Sequence, residues 1–149
     1  MVMRMAVYLC AAAVFAGPAN ADSIAVTIEK FGLLGSWADD CAEGPGARQG
    51  FRMAVAAPPG GAPTYTTVNI DNGVKTTVRS LVVTAVQPAP QSLTLRVRIL
   101  GGDVDGGPLP SPTTNTFEQT FEKPAGEKPA GAAMQMAGNP PIPLQRCRD

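Results

Sequence analysis

The side chains able to do chemistry in this chain are few, and their types and spacing exclude most of it. There is no histidine among the 149 residues. That removes the Ser-His-Asp and Cys-His nucleophilic arrangements and most zinc sites, which need an imidazole. Asp39 and Asp40 are adjacent. In a strand, adjacent side chains point to opposite faces, so these two do not converge on one reacting atom; they are read as a solvated strand end. Glu118 and Glu122 share a strand face, but roughly 13 Å separates them, too far for paired carboxylate catalysis. They are read as solubilising an outer face. Gly101-Gly-Asp103-Val-Asp105-Gly-Gly107 holds a D-x-D-G fragment. A calcium loop also needs a third short oxygen ligand and a bidentate terminal carboxylate, and both are missing, so this is read as a glycine turn. The expectation is a non-enzymatic protein with no catalytic residue, no metal site and no cofactor.

The three cysteines are Cys10, Cys41 and Cys147. The first lies in a leader: Arg4, the uncharged apolar run Met5 to Phe15, the break at Gly17-Pro18, and Ala19-Asn20-Ala21 as an A-x-A cleavage site. The apolar run is too short to span roughly 30 Å of hydrocarbon, which argues against a membrane anchor. Leu9 before Cys10 is too large for a lipoprotein cleavage box. Residues 1–21 are therefore expected to be a cleaved secretory signal peptide, and residues 22–149 one domain in the periplasm or outside the cell. No membrane span is expected in that mature part. Cys41 and Cys147 then remain as an even pair, and two cysteines in an exported chain most often bond each other. The alternative is two free thiols. The formal net charge is zero, and losing Arg4 makes it about minus one, so no nucleic-acid or anionic-membrane partner is expected.

The elements that position these groups are mostly strands. Charged residues are 16% and aromatics 5%, while Gly 16 and Pro 15 are high, a composition that suits many short strands and turns. Asp22 to Leu34 carries two patterns. Ile24, Ile28 and Phe31 at i, i+4, i+7 predict a short helix capped by Asp22 or Ser23 and broken at Gly32, whereas Ile24, Val26 and Ile28 alternate as in a strand. The helix is preferred, covering one end of the core. Leu33 to Asp40 is expected to be the first strand, with Trp37 inward. Phe51, Met53 and Val55 alternate with Arg52, Ala54 and Ala56. Pro63 to Ile70 and Val74 to Val86 flank Asp71-Asn72-Gly73, strong hairpin chemistry because Asn-Gly accepts positive φ. Leu93, Leu95, Val97 and Ile99 against Ser92, Thr94, Arg96 and Arg98 give the cleanest alternation, and a one-residue slip would bury two arginines. Gly101 to Pro112 is expected to be a loop. Asn115 to Lys123 is a strand with Phe117, Gln119 and Phe121 inward. The tandem Glu122-Lys-Pro-Ala-Gly and Glu127-Lys-Pro-Ala-Gly is an extended hairpin loop. Ala132 to Ala137 is a weak strand around Met134 and Met136, Gly138 to Pro143 a loop, and Leu144 to Cys147 the last strand.

The fold class expected is all-β, an antiparallel up-and-down meander closed or nearly closed into a small barrel, with a short N-terminal helix. Closure would set the first and last strands side by side, with a Cys41–Cys147 bridge at the seam. Gly35-Ser36-Trp37 after a helical turn resembles the G-x-W start of lipocalin-like barrels. Leu34-Gly35-Ser36-Trp37-Ala38-Asp39-Asp40-Cys41, with Phe121-Glu122-Lys123 and the ending Leu144-Gln145-Arg146-Cys147, is similar to a group of small exported bacterial proteins. Those begin G-x-W-x-x-D-C, continue as a β-meander and end in a short R-C tail. The resemblance implies a lipocalin-like fold and an exported compartment, and it supplies no ligand. The chain departs from it in its few aromatics and its repeated loop.

Trp37, Phe51, Met53, Leu95, Val97, Phe117 and Phe121 are the candidate ligand pocket, an apolar lining at a barrel mouth for a small apolar or amphipathic molecule. The alternative is that these side chains fill the barrel and that the protein is structural or interacts with the cell envelope through its surface.

Overall fold

The computed structural model describes residues 19–42, 46–109, 116–123, 131–135 and 140–148. The expected leader up to residue 18, the repeated loop over 124–130 and Met136 lie outside the described residues.

The helical pattern prevails over the alternating one at the start. Helix α1 runs Ala19–Phe31. Asp22 and Ser23, expected as its cap, therefore lie inside it. Ile24, Ile28 and Phe31 are 8%, 0% and 1% exposed, so the i, i+4, i+7 stripe is the face that packs. Gly32 ends the helix with a φ of 83°. Its N–H donates to the Glu29 carbonyl at 2.9 Å, and the Leu33 N–H donates to the Ile28 carbonyl at 3.2 Å. Leu33 itself is buried. This is a Schellman stop, in which a left-handed glycine lets the chain turn back and satisfy the last carbonyls.

The strands follow the expected order. They are β1 (Gly35–Ala38), β2 (Gln49–Ala56), β3 (Thr64–Asp71), β4 (Val74–Ala89), β5 (Ser92–Val104), the two-residue β6 (Gly107–Pro108), β7 (Thr116–Glu122), β8 (Gly131–Gln135) and β9 (Ile142–Arg146). Every pairing is antiparallel. Eight strands close into a barrel in the order β1-β2-β3-β4-β5-β7-β8-β9 and back to β1, with β6 folded onto the end of β5. The β3–β4 hairpin turns at Asn72 and Gly73, with φ of 50° and 84°, the left-handed pair that Asn-Gly was expected to supply.

Several boundaries differ from expectation: β1 is shorter than Leu33 to Asp40, β4 runs on to Ala89, and β6 lies within the expected loop. Gly101 to Val104 continue β5 instead of forming a loop, pairing with β4 as far as Thr76↔Val104. The glycine has a packing cause. A Cβ on Gly102 would lie 2.0 Å from the Thr77 carbonyl oxygen and 2.5 Å from Leu109 Cδ1, so only glycine lets β4 and β5 approach there. At the other end, Ile142 and Pro143 belong to β9 and not to the preceding loop.

Closure depends on β4. Its pairing with β5 slips between Arg79 and Ser80, between Val82 and Thr84, and between Val86 and Ala89. Such bulges bend a strand and increase its twist. One long strand can then serve as the wall between β3 and β5, where a flat strand would leave an open sheet. Inside the barrel lies one core, which takes Ile28, Phe31 and Leu33 from the helix side together with Trp37, Met53, Val55, Tyr65, Val82, Leu93, Leu95, Val97, Phe121, Met134 and Leu144.

Candidate functional site

The site begins at the seam, where the first and last strands meet. Trp37 pairs with Arg146 and Ala38 with Gln145, and the Cys147 N–H donates to the Ser36 carbonyl at 2.9 Å. Cys41 and Cys147 are disulfide-bonded across 106 residues, with Cα atoms 5.4 Å apart. Asp39 and Asp40 shape the turn that brings Cys41 there. Asp39 Oδ1 accepts the N–H groups of Phe51 and Asp40, at 3.0 and 2.8 Å, and Asp40 Oδ1 accepts the Ala42 N–H at 2.8 Å. The two acids are occupied in folding the strand end back, as short polar side chains do in turns.

The helix is fixed to the same seam by cations at its C-terminus. The Arg146 guanidinium lies 4.9 Å from the centre of the Trp37 ring and donates to the Gly32 carbonyl. Lys123 Nζ lies 4.3 Å from the centre of the Phe31 ring. The Trp37 indole N–H donates to the Leu33 carbonyl at 2.9 Å. Positive groups beside the last carbonyls of a helix complement its dipole, and each cation over a ring adds about 0.5–1 kcal/mol. Replacing Arg146 by alanine should cost about 1–2 kcal/mol, as it removes a ring contact and a charged hydrogen bond. Hydrogen exchange should speed up first at the amides of Ile28 to Leu33. Uniform acceleration across the barrel would show that Arg146 does not hold the helix.

α1 therefore occupies one end of the barrel. Lys123 follows β7 and Gly35 opens β1, so Phe121 and Val55, which pairs with Gly35, belong to that capped end. Phe117 and Phe51 lie four residues along the same strands, roughly 13 Å toward the opposite end. The candidate pocket residues divide accordingly. Trp37, Met53, Leu95, Val97 and Phe121 are at most 4% exposed and belong to the core cluster. Phe51 is partly buried against it. Phe117 shares the inward face with Gln119 and Phe121, because it pairs with the fully buried Val97, yet it is 36% exposed. It was expected to point inward and to line a barrel mouth or fill the barrel. It lies near the start of β7, whereas β8 pairs only with Thr120 to Glu122, so no described β8 residue flanks it. The seven residues thus form a filled, capped half plus two phenylalanines toward the other end.

Two polar residues inside the barrel were not singled out from the sequence. Tyr65 is 1% exposed, packs edge-on against Phe121 with ring centroids 6.2 Å apart, and donates its hydroxyl to Met134 Sδ at 3.6 Å. Ser80, its cross-strand partner, is 2% exposed, and its hydroxyl has no hydrogen-bond partner. The signal for Ser80 was present: a hydroxyl interrupts the apolar row Val78, Ser80, Val82. Burial pushes the Tyr65 phenol well above its ordinary range. The folded-state value exceeds the unfolded one, so this contribution to stability is complete below about pH 10 and is lost as pH rises further. The Tyr65 tyrosinate absorbance should appear only together with unfolding, and Tyr65→Phe should remove that part of the alkaline dependence. Ionisation near pH 10 in the intact fold, with no loss of structure, would contradict the buried placement.

Other candidates remain on the outside. Asp39, Glu118 and Glu122 are exposed, as a deep acidic cleft would not allow. Asp103 faces Arg79 at 3.6 Å, and Asp105 Oδ1 accepts the Lys75 N–H at 2.9 Å, so the D-x-D-G fragment fastens the β4–β5 ribbon. Among the described residues no group of three or more His, Cys, Asp or Glu is placed to hold a metal, and no helix is long and apolar enough to cross a membrane. A shallow groove of about 160 Å³ runs along the outer wall, lined by Ser36, Arg52, Ala54, Thr66, Val68 and Cys147 among others. It forms where small outward residues, Ser36 and Ala54, stand opposite each other. No family model, curated protein or solved structure matches the chain.

Proposed function

We propose that this is an exported, non-catalytic binding module, working in the periplasm or outside the cell, that holds a small apolar or amphipathic molecule toward the end of its barrel opposite α1. The observation that carries the reading is the asymmetry of the interior. Helix side chains plug one end, while toward the other Phe51 is only part-buried and Phe117 faces inward with over a third of its surface exposed. An aromatic lining that stays partly wetted is characteristic of ligand mouths. Export is supported by the charged start, apolar run and A-x-A sequence of the leader, and by a disulfide that reducing compartments disfavour. Cleavage after Ala21 keeps Ile24, Ile28 and Phe31, so the plug survives processing. The resemblance to small exported barrels with a G-x-W-x-x-D-C start points to the same compartment.

A second reading has its own support. Five of the seven candidate pocket residues are packed into the core, as expected of a filled barrel that acts on the cell envelope through its surface. Thermal melting of the purified oxidised protein with fatty acids, fatty alcohols and apolar dyes separates the two. Binding inside should raise the midpoint with at least one class of probe, as any ligand of the native state does. If neither the midpoint nor Trp37 emission moves with any of them, the surface reading replaces the first. The mature N-terminus, read by mass spectrometry, should be Asp22.

A further inference from the structure

We propose that the last part of β4 is an interaction edge, and that its partner is the same segment of a second copy of this chain, paired antiparallel about a two-fold axis. The ladder between β3 and β4 ends at Thr64↔Leu81, yet β4 runs on to Ala89 with β5 on its other side. On the side that β3 leaves, the Val82 N–H donates to the Pro63 carbonyl at 2.8 Å, and among the described residues no strand continues the ladder. Val82 and Ala85 pair with Val97 and Leu95, two residues apart on β5. Both therefore turn their N–H and C=O groups to that same open side. Helix α1 packs against β4, and Ala85 is half-buried toward the core. Val83, Thr84, Val86 and Gln87 nevertheless stay exposed, so the helix does not cover the edge.

The edge specifies its occupant. A row of backbone donors and acceptors is completed by another extended chain, and proteins that keep such an edge single place a charge, a proline or a covering element on it. No charged residue lies between Arg79 and Arg96, and Pro88 guards only the far end of the segment. Val83 and Val86 are 41% and 58% exposed, and both have the β-branched form that suits a strand pair. A charged peptide would find no counter-ion here, whereas two identical uncharged segments set no charge against its like. Antiparallel pairing of a strand with itself is also self-complementary, as a two-fold interface requires. With the axis at Ala85, that residue exchanges both backbone hydrogen bonds with Ala85 of the second copy, and each Val86 stands opposite the other copy's Thr84. The edge lies at the helix-capped end, because Leu81 pairs with Thr64 and Thr64 with Ala56, next to Val55. It is therefore independent of a guest around Phe51 and Phe117.

The test is sedimentation velocity of the oxidised protein from micromolar to millimolar concentration, with hydrogen exchange at the Ala85 amide read over the same range. Wild type should pass from monomer to dimer, and exchange at Ala85 should slow as it does. Val86→Lys changes an exposed side chain, so it should fold and melt as wild type does, and should associate about 10-fold more weakly. Val86→Thr keeps an uncharged β-branched residue there and should associate as wild type does. A wild type that stays monomeric at millimolar concentration would overturn the proposal. So would a dimer that Val86→Lys leaves intact, or one that leaves exchange at Ala85 unchanged, since the contact would then lie elsewhere. A monomer whose Ala85 amide is protected only on adding an extended uncharged peptide would overturn the second copy as the partner.

Discussion

Replacing both Cys41 and Cys147 by alanine should lower the thermal midpoint on the order of 15 °C. The loop they close spans 106 residues. In the chain-entropy model a bridge of that length removes enough freedom from the unfolded chain to stabilise the fold by about 4–5 kcal/mol. A domain of this size loses roughly 3–5 °C per kcal/mol. The effect is large because of where the bridge sits. β1 and β9 share only two paired positions, the shortest contact between neighbours in the barrel wall apart from the two-residue β6. The longer walls, such as β2 with β3 over eight pairs, hold themselves. The denaturant slope should rise in the variant, because an unbridged unfolded chain exposes more surface. A dithiol reductant should reproduce the alanine variant. A midpoint that falls by only a degree or two would mean that the seam does not depend on the covalent tie.

Phe121→Ala should cost about 3–5 kcal/mol, whereas Phe117→Ala should cost about 1–2 kcal/mol. The two residues have the same chemistry, the same strand and the same face. Phe121 is fully buried, sits opposite Leu93 and Met134, and meets the edge of Tyr65. Its removal leaves a cavity that fixed neighbours cannot refill, and the lost contacts add to the lost transfer energy. Phe117 already meets solvent over a third of its surface, so less is lost. Urea denaturation of the two variants measures both costs. Similar costs would mean that the barrel is packed uniformly from end to end, and the distinction between a capped half and an open half would fail.

Much of this was legible in the residues. The Asn72-Gly73 turn, the alternation from Ser92 to Ile99 and the i, i+4, i+7 stripe of α1 are each set by local chemistry, and each appears where expected. The meeting of the chain ends followed from cysteine arithmetic joined to a meander. What escaped the sequence depends on neighbours distant along the chain. Gly101 and Gly102 carry loop composition, yet both pair with β4, and at Gly102 the closeness of Thr77 and Leu109 leaves no room for a side chain. Phe117 fits the inward alternation, but alternation gives the face and not the depth. The burial of Ser80 and Tyr65 likewise depends on strands far apart in the chain, with the Tyr65 hydroxyl donating to Met134.

A small apolar or amphipathic guest inside the barrel should sit at the end opposite α1, around Phe51 and Phe117. The most direct measurement is the amide and methyl NMR spectrum of the oxidised, isotope-labelled protein during titration with octan-1-ol. A guest at that end should give saturable shifts at Phe51 and Phe117, with Ile24, Ile28 and Phe31 unmoved. Shifts confined to Ser36, Ala54 and Thr66 on the outer wall, or to the helix, would contradict it.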